Sequence, residues 1–166
     1  EFTNEGGINN KIRFLKNIMG MWIFERCRQI WKQNREQADY DILIKQASKA
    51  EPFKNIINPD DEVFQNPTNM VEAISSYCRK SNQSIPEDQG SYVRCIFESL
   101  ALKYRFVMEK INTIRLKPIE LLHIVGGGSQ NKMLNQFIAN AIGIPVIAGP
   151  TEGTAIGNIL VQAIST

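Results

Sequence analysis

Apolar residues recur at steps of three and four through the first two thirds of this chain. The last third breaks into alternating strand-like and helix-like runs. Leu15, Ile18, Met19, Trp22, Ile23, Ile30 and Trp31 form the first helical stripe. Arg26, Arg28, Lys32 and Arg35 lie mainly on the other face or near the end, where cations suit the helix dipole. Trp22 and Trp31 share the stripe and are expected in the core. Ahead of it, residues 1–9 carry Gly6 and Gly7 and read as a turn between extended pieces, with residues 11–16 continuing as a short strand. Residues 39–50 read as a helix that Asp39 or Asp41 can cap. Residues 51–68, with Pro52, Pro59 and Pro67, read as a loop in which Asp60 and Asp61 are expected to form a solvated turn rather than a metal site. Pro67-Thr-Asn-Met70 opens another helix through about Lys80, and residues 81–87 link it to the next.

The strongest helical signal spans residue 89 to about residue 112. Val93, Ile96, Phe97, Leu100, Tyr104, Val107, Met108 and Ile111 make one stripe. Arg94 and Glu98 are four apart and can pair, at a few tenths of a kcal/mol (~0.3) if exposed. Residues 120–166 then alternate strand, helix, strand, helix. The first strand, 121–125, holds His123, expected as a packed core histidine. The helix from Lys132 buries Met133, Leu134, Phe137, Ile138, Ala141 and Ile142 and stops at Gly143. The second strand, 144–148, has Pro145 near its start, as at a sheet edge. The last helix, from Thr154, is expected to bury Ile156, Ile159, Leu160, Ala163 and Ile164. Gly153, Ala155 and Gly157 would let it approach a neighbour closely, or Gly153 and Gly157 would open space for a substrate or a second domain.

A chain of 166 residues can bury a core and fits one domain. Nineteen basic residues balance 17 acidic ones, with no basic block to bind nucleic acid. No apolar run approaches the roughly 20 residues of a membrane span. The chain begins without Met and in mid-pattern, so a fragment of something larger is expected. Cys27, Cys78 and Cys95 lack metal spacing and are too few for a disulfide framework, which fits reduced thiols in a cytoplasmic protein. A pairing of Cys78 with Cys95 across the 81–87 linker stays open.

The candidate chemistry sits where the apolar run 121–125 ends in Gly126, Gly127 and Gly128, followed by Ser129, Gln130 and Asn131 and a helix. Glycines without side-chain bulk let another molecule lie against the backbone. The helix N-terminus behind them offers unpaired N–H groups and a positive dipole end, the usual setting for a nucleotide. Glycines can also serve only a tight turn and close helix–strand packing. A dinucleotide fingerprint fits poorly, because Asn131 stands where its third glycine belongs and no acid ends the next strand. No Gly-Lys-Ser/Thr is present for a P-loop.

The run from His123 to Lys132 resembles the adenosine-binding motif of the FGGY carbohydrate kinases. The run from Ile144 to Asn158 resembles the segment that follows it. Residues 2–7, 14–20 and 94–104 resemble the rhamnulose-phosphorylating branch of that family. The resemblance covers nearly the whole chain. It implies an α/β fold, the actin-like ATPase (ribonuclease H-like) domain, with a mixed sheet flanked by helices and an inserted helical region. It implies the C-terminal, nucleotide-binding domain, without its first strand and without the N-terminal sugar-binding domain that carries the phosphate loop and the catalytic Asp. The ligands implied are ATP with Mg2+, and a sugar shared with the N-terminal domain. By resemblance, Gly127 contacts the nucleotide, Gly126 and Gly128 open the space, and Asn131 bonds the adenine or ribose side. Asn17 faces the cleft on the substrate or phosphate side. Glu25 stands at an ATP-contact position where that branch often has Gln, exchanging an amide for an acceptor-only carboxylate. Arg13 and Lys16 are candidates for neutralising phosphate. A kinase for another sugar of the same family, and a non-catalytic actin-like module, are the alternatives.

Overall fold

The computed structural model describes residues 2–7 and 10–165, with side-chain surroundings for all of these except Thr154, Ile164 and Ser165. The turn expected at residues 8 and 9 and the burial expected of Ile164 therefore lie outside the described residues. The elements run β1 (Phe2–Gly6), β2 (Ile12–Lys16), α1 (Trp22–Gln33), α2 (Tyr40–Lys49), α3 (Met70–Lys80), α4 (Gln89–Asn112), β3 (Leu122–Ile124), α5 (Lys132–Ile142), β4 (Val146–Ala148) and α6 (Gly153–Ser165). Single 3-10 turns stand at Glu62–Phe64 and Gly127–Gln130.

Four helices, α2 to α5, start where short polar side chains take orphan backbone N–H groups, whereas α1 starts at Met21 without a side-chain cap. Asp39 accepts from Asp41 and Ile42, Asn69 from Glu72, Asp88 from Ser91 and Asn131 from Leu134. Gly143 closes α5 in the left-handed conformation, φ 71°. Their apolar faces meet in one core, with Phe24, Leu43, Phe64, Ile74, Ile96 and Phe97 fully buried. Phe24 meets the Phe97 ring edge-on at 5.3 Å, a preferred aromatic arrangement. Helix α4 packs against both α2 and α5. It passes α2 at Gly90, where a Cβ would stand 2.8 Å from the Gln46 carbonyl carbon, so only glycine fits. Its middle, Cys95 to Ala101, is buried all round, Glu98 and Ser99 included. One stripe therefore understates how deep this helix lies.

Both antiparallel and parallel pairing occur, but in separate sheets. β1 and β2 form an antiparallel hairpin with Phe2 opposite Lys16, and β3 and β4 form a parallel pair with Leu122 opposite Val146. Among the described residues no strand joins them. In place of the single mixed sheet expected from the sequence, the described residues form these two separate two-stranded sheets.

Four expectations are corrected. Trp22 is 43% exposed while Trp31 is buried, because Leu15 belongs to β2 and the helical phase starts afresh at Trp22. His123 is exposed, because β3 alternates: Leu122 and Ile124 pack on the helical core and His123 faces away. In α6, Ile156, Ile159, Leu160 and Ala163 are exposed rather than buried. That helix begins at Gly153 beside Val125, on the sheet face turned from the core. Asp60 is no solvated turn: its carboxylate is mostly buried and bonded to three partners. Cys27, Cys78 and Cys95 are all buried and free, and burial pushes the Cys27 thiol up to about 12.

Candidate functional site

The glycine run follows β3 as expected, but as a 3-10 turn. Gly126 takes φ 84°, a left-handed conformation that strains any residue with a side chain. Its N–H donates to the Pro150 carbonyl (3.1 Å), and the Gly149 N–H donates to Ile124 (2.7 Å), which clamps the loop to the β4–α6 turn. The Gly126 carbonyl accepts from the Ser129 N–H (3.0 Å) and hydroxyl (2.8 Å). Gln130 reaches the Thr151 hydroxyl at 2.8 Å. The loop is thus held by its own polar residues.

Gly127 and Gly128 are different. A Cβ at either would meet nothing within 4 Å. Gly127 is exposed and Gly128 half-buried. Internal packing therefore gives no reason for glycine at these two positions, which leaves an open main-chain surface. Below it lies a cavity of about 240 Å3, lined by Gly128, Asn135 and Leu134 from the loop and α5, Gly20 and Met21 from the β2–α1 connection, and Tyr104 from α4, among others.

The other candidates fall into place unevenly. Asn131 is 2% exposed, and its Oδ1 caps α5 through the Leu134 N–H (2.9 Å). Its Nδ2 is buried without a partner. Only this donor half of the amide is free for another role. Glu25 lies one turn into α1 behind Met21, whose carbonyl its N–H reaches at 2.9 Å. Both its carboxylate oxygens accept from Arg28 (3.0 and 2.9 Å), so its charge is matched locally. Asn17 is exposed just after β2, and its carbonyl accepts from Lys16. Arg13 pairs with Glu5 and Lys16 with Asp60, so neither cation is held in reserve for phosphate.

Asn135 was missed in the sequence. Its Nδ2 donates to the Ser129 carbonyl (2.8 Å), while its Oδ1 is buried without a partner. An amide next to the buried Leu134, four residues beyond the cap, was the available signal.

The open glycine run, the capped helix behind it and the cavity at its edge thus lie together at the end of β3. The model of the C-terminal domain of the FGGY family of carbohydrate kinases matches residues 1–166, and the chain belongs to that family. Among curated relatives, it is 56% identical over 164 residues to a rhamnulokinase of Bacteroides thetaiotaomicron, covering 99% of this chain and 33% of that protein. It is 51% identical over 158 residues to a rhamnulokinase of Mannheimia succiniciproducens, covering 95% of this chain and 32% of that protein. It is 46% identical over 166 residues to one of Bacillus subtilis, covering 99% and 33%. The chain thus spans about a third of the length of these relatives.

Proposed function

We propose that this chain is the nucleotide-binding domain of a kinase that transfers the γ-phosphate of MgATP to L-rhamnulose, giving L-rhamnulose 1-phosphate. The observation that carries the reading is the pair Gly127 and Gly128, bare without any internal cause. The names of the relatives support the sugar. In this reading the two sheets belong to one actin-like mixed sheet, completed by strands outside the chain.

The adenosine half of ATP lies on the 126–128 shelf. The cavity, about 240 Å3, is below the usual size of a whole-ligand pocket, about 300–1,000 Å3. It suits one ring system, with the rest of the nucleotide over the glycines. Asn131 contributes its free Nδ2 toward the base or ribose, Glu25 accepts from a ribose hydroxyl or amino group, and Asn17 faces the sugar. Phosphoryl transfer needs alignment and charge neutralisation more than covalent help. The base for the sugar hydroxyl is an Asp of the N-terminal domain. Among the described residues no cluster of three or more His, Cys, Asp or Glu could hold a metal. In this reading Mg2+ enters with the nucleotide as part of the substrate. No helix among the described residues is long and apolar enough to cross a membrane.

Gly127→Val in the full-length kinase is the test. Because a side chain there meets nothing in the protein, the fold should be kept and the KM for ATP should rise on the order of tenfold or more, with the KM for L-rhamnulose little changed. L-Rhamnulose should be preferred over L-fuculose and xylulose in the parent enzyme. An unchanged KM for ATP would remove the site.

A further inference from the structure

Gly20 and Met21, which line the cavity together with Gly128, end a stretch with no regular structure, residues 17–21 between β2 and α1. Asn17 stands at its start and Gly20 and Met21 at its end. A segment without helix or strand has few internal bonds to fix it, so whatever holds it also fixes this side of the site. The main-chain amide at its centre, Met19 N–H, donates 3.1 Å to the Oδ1 of Asp60, 41 residues away. The other oxygen of the same carboxylate takes Lys16 at 3.2 Å and Lys103 at 3.0 Å. The three side chains are between 16% and 19% exposed. Lys103 also donates to the Asn58 side chain (3.1 Å) in the turn that carries Asp60.

Three segments therefore converge on the one carboxylate of the 58–61 turn: the end of β2, the 17–21 stretch and α4. Tyr104, next to Lys103, lines the cavity with Gly20 and Met21. Burial alone would push the Asp60 carboxyl up. The hydrogen bonds from Lys103, the Met19 amide and Lys16 outweigh it and hold the group below the usual carboxylate range. The anion is therefore present throughout neutral pH. One anion between two cations leaves Lys16 and Lys103 each dependent on it. Charge-assisted bonds of this kind are about twice as strong as neutral ones.

We infer that Asp60 is a positioning residue, which fixes the 17–21 segment against α4 and thereby sets the distance between the glycine shelf and the Asn17 side of the cleft. This rests on the kinase reading of the shelf. Asp60 touches neither substrate in that reading. It acts through Met19, and because Asn17 and Gly20 flank Met19 on either side, its loss is felt at both substrates.

The test uses the full-length kinase with Asp60→Ala and Asp60→Asn, beside Gly127→Val. Asp60→Ala should raise the KM for ATP and the KM for the sugar together, each on the order of tenfold, and lower kcat, since misplacement of about 1 Å can cost that much or more. Asp60→Asn keeps an oxygen for the Met19 amide and should recover most of both KM values, even though its midpoint of thermal unfolding falls with the lost ion pairs. That split between stability and KM is the signature of positioning through Met19. If Asp60→Ala fails to fold, Asp60→Asn paired with Lys103→Met supplies the comparison: near-normal KM values in both, with lowered thermal midpoints, support the tether at Met19. KM values for Asp60→Ala equal to the parent's, measured well below its unfolding temperature, overturn the inference. So do KM values for Asp60→Asn raised as far as those for Asp60→Ala. If Gly127→Val leaves the KM for ATP unchanged, the shelf itself is misassigned, a failure distinct from that of Asp60.

Discussion

Glu98 is the residue at which sequence spacing and structure differ most in energy. Spacing alone made Arg94 and Glu98 a helix-surface pair. In the fold Glu98 is 3% exposed, accepts Arg94 Nε at 2.7 Å, and accepts the Phe53 N–H at 2.7 Å with its other oxygen. Phe53 holds φ 55°, unfavourable for a bulky residue, so the carboxylate also pins a strained turn. Arg94 stacks on Phe137 and donates to the Ala47 carbonyl at 3.2 Å. Removing one partner of such a pair strands the other, which costs about 3–5 kcal/mol. Glu98→Ala should destabilise the chain by about 3 kcal/mol, and Glu98→Gln, which keeps an acceptor for Phe53, by roughly half of that. Urea unfolding measures both; equal and small losses would mean the pair is solvated. Periodicity could not reveal this, because a stripe reports which positions are apolar and not how deep the helix lies. The same blindness hid Asp60, whose partners Met19, Lys103 and Lys16 come from 41, 43 and 44 residues away.

At the scale of elements, α2, α4 and α5 were legible because each carries a local start signal, whereas α1 starts at Met21 without a side-chain cap. Asp39, Asp88, Asn131 and Gly143 act where local chemistry puts them, and α4 runs from Gln89 to Asn112 as its pattern indicates. The glycine shelf was legible too, since its information is local. What the sequence could not apportion was the use of Asn131, whose amide has two ends. Its oxygen belongs to α5, and its nitrogen is buried and unpartnered. Asn131→Ser separates the two, because a hydroxyl still caps while the amide donor disappears. Serine is about as good a cap as Asn, so the cost to stability should stay below about 1 kcal/mol. If the nitrogen serves the nucleotide, the KM for ATP in the full-length kinase should rise severalfold, on the order of one charge-neutral hydrogen bond. A drop in stability with KM unchanged would assign Asn131 to the helix alone.

Taken whole, the molecule has a firm helical core and two slight sheets. Every residue of β1 is exposed, and β2 is exposed over Ile12 to Phe14. The hairpin's support includes the stacked pair Phe2 and Phe14, 4.9 Å apart, the exposed Arg13–Glu5 ion pair, and the bond of Lys16 to Asp60. A two-stranded hairpin is marginal by itself in water. The β3–β4 pair is shorter still, but Leu122, Ile124 and Val146 pack on the core. Local opening free energies should therefore rank in the order hairpin, β3–β4 pair, α4. In the isolated chain, amide hydrogen exchange of residues 2–6 and 12–15 should lie within about tenfold of the unfolded rate, while the middle of α4 exchanges only on global opening. In the full-length kinase the two halves are proposed to share one sheet, so the same hairpin amides should gain protection by orders of magnitude. Equal, fast exchange in both proteins would mean that the hairpin stays a surface ribbon and that the joined sheet does not form. Protection already high in the isolated chain would mean that the core, rather than added strands, supports it. The measurement reads the missing layer directly, since the pairing of backbone amides is what a completed sheet changes.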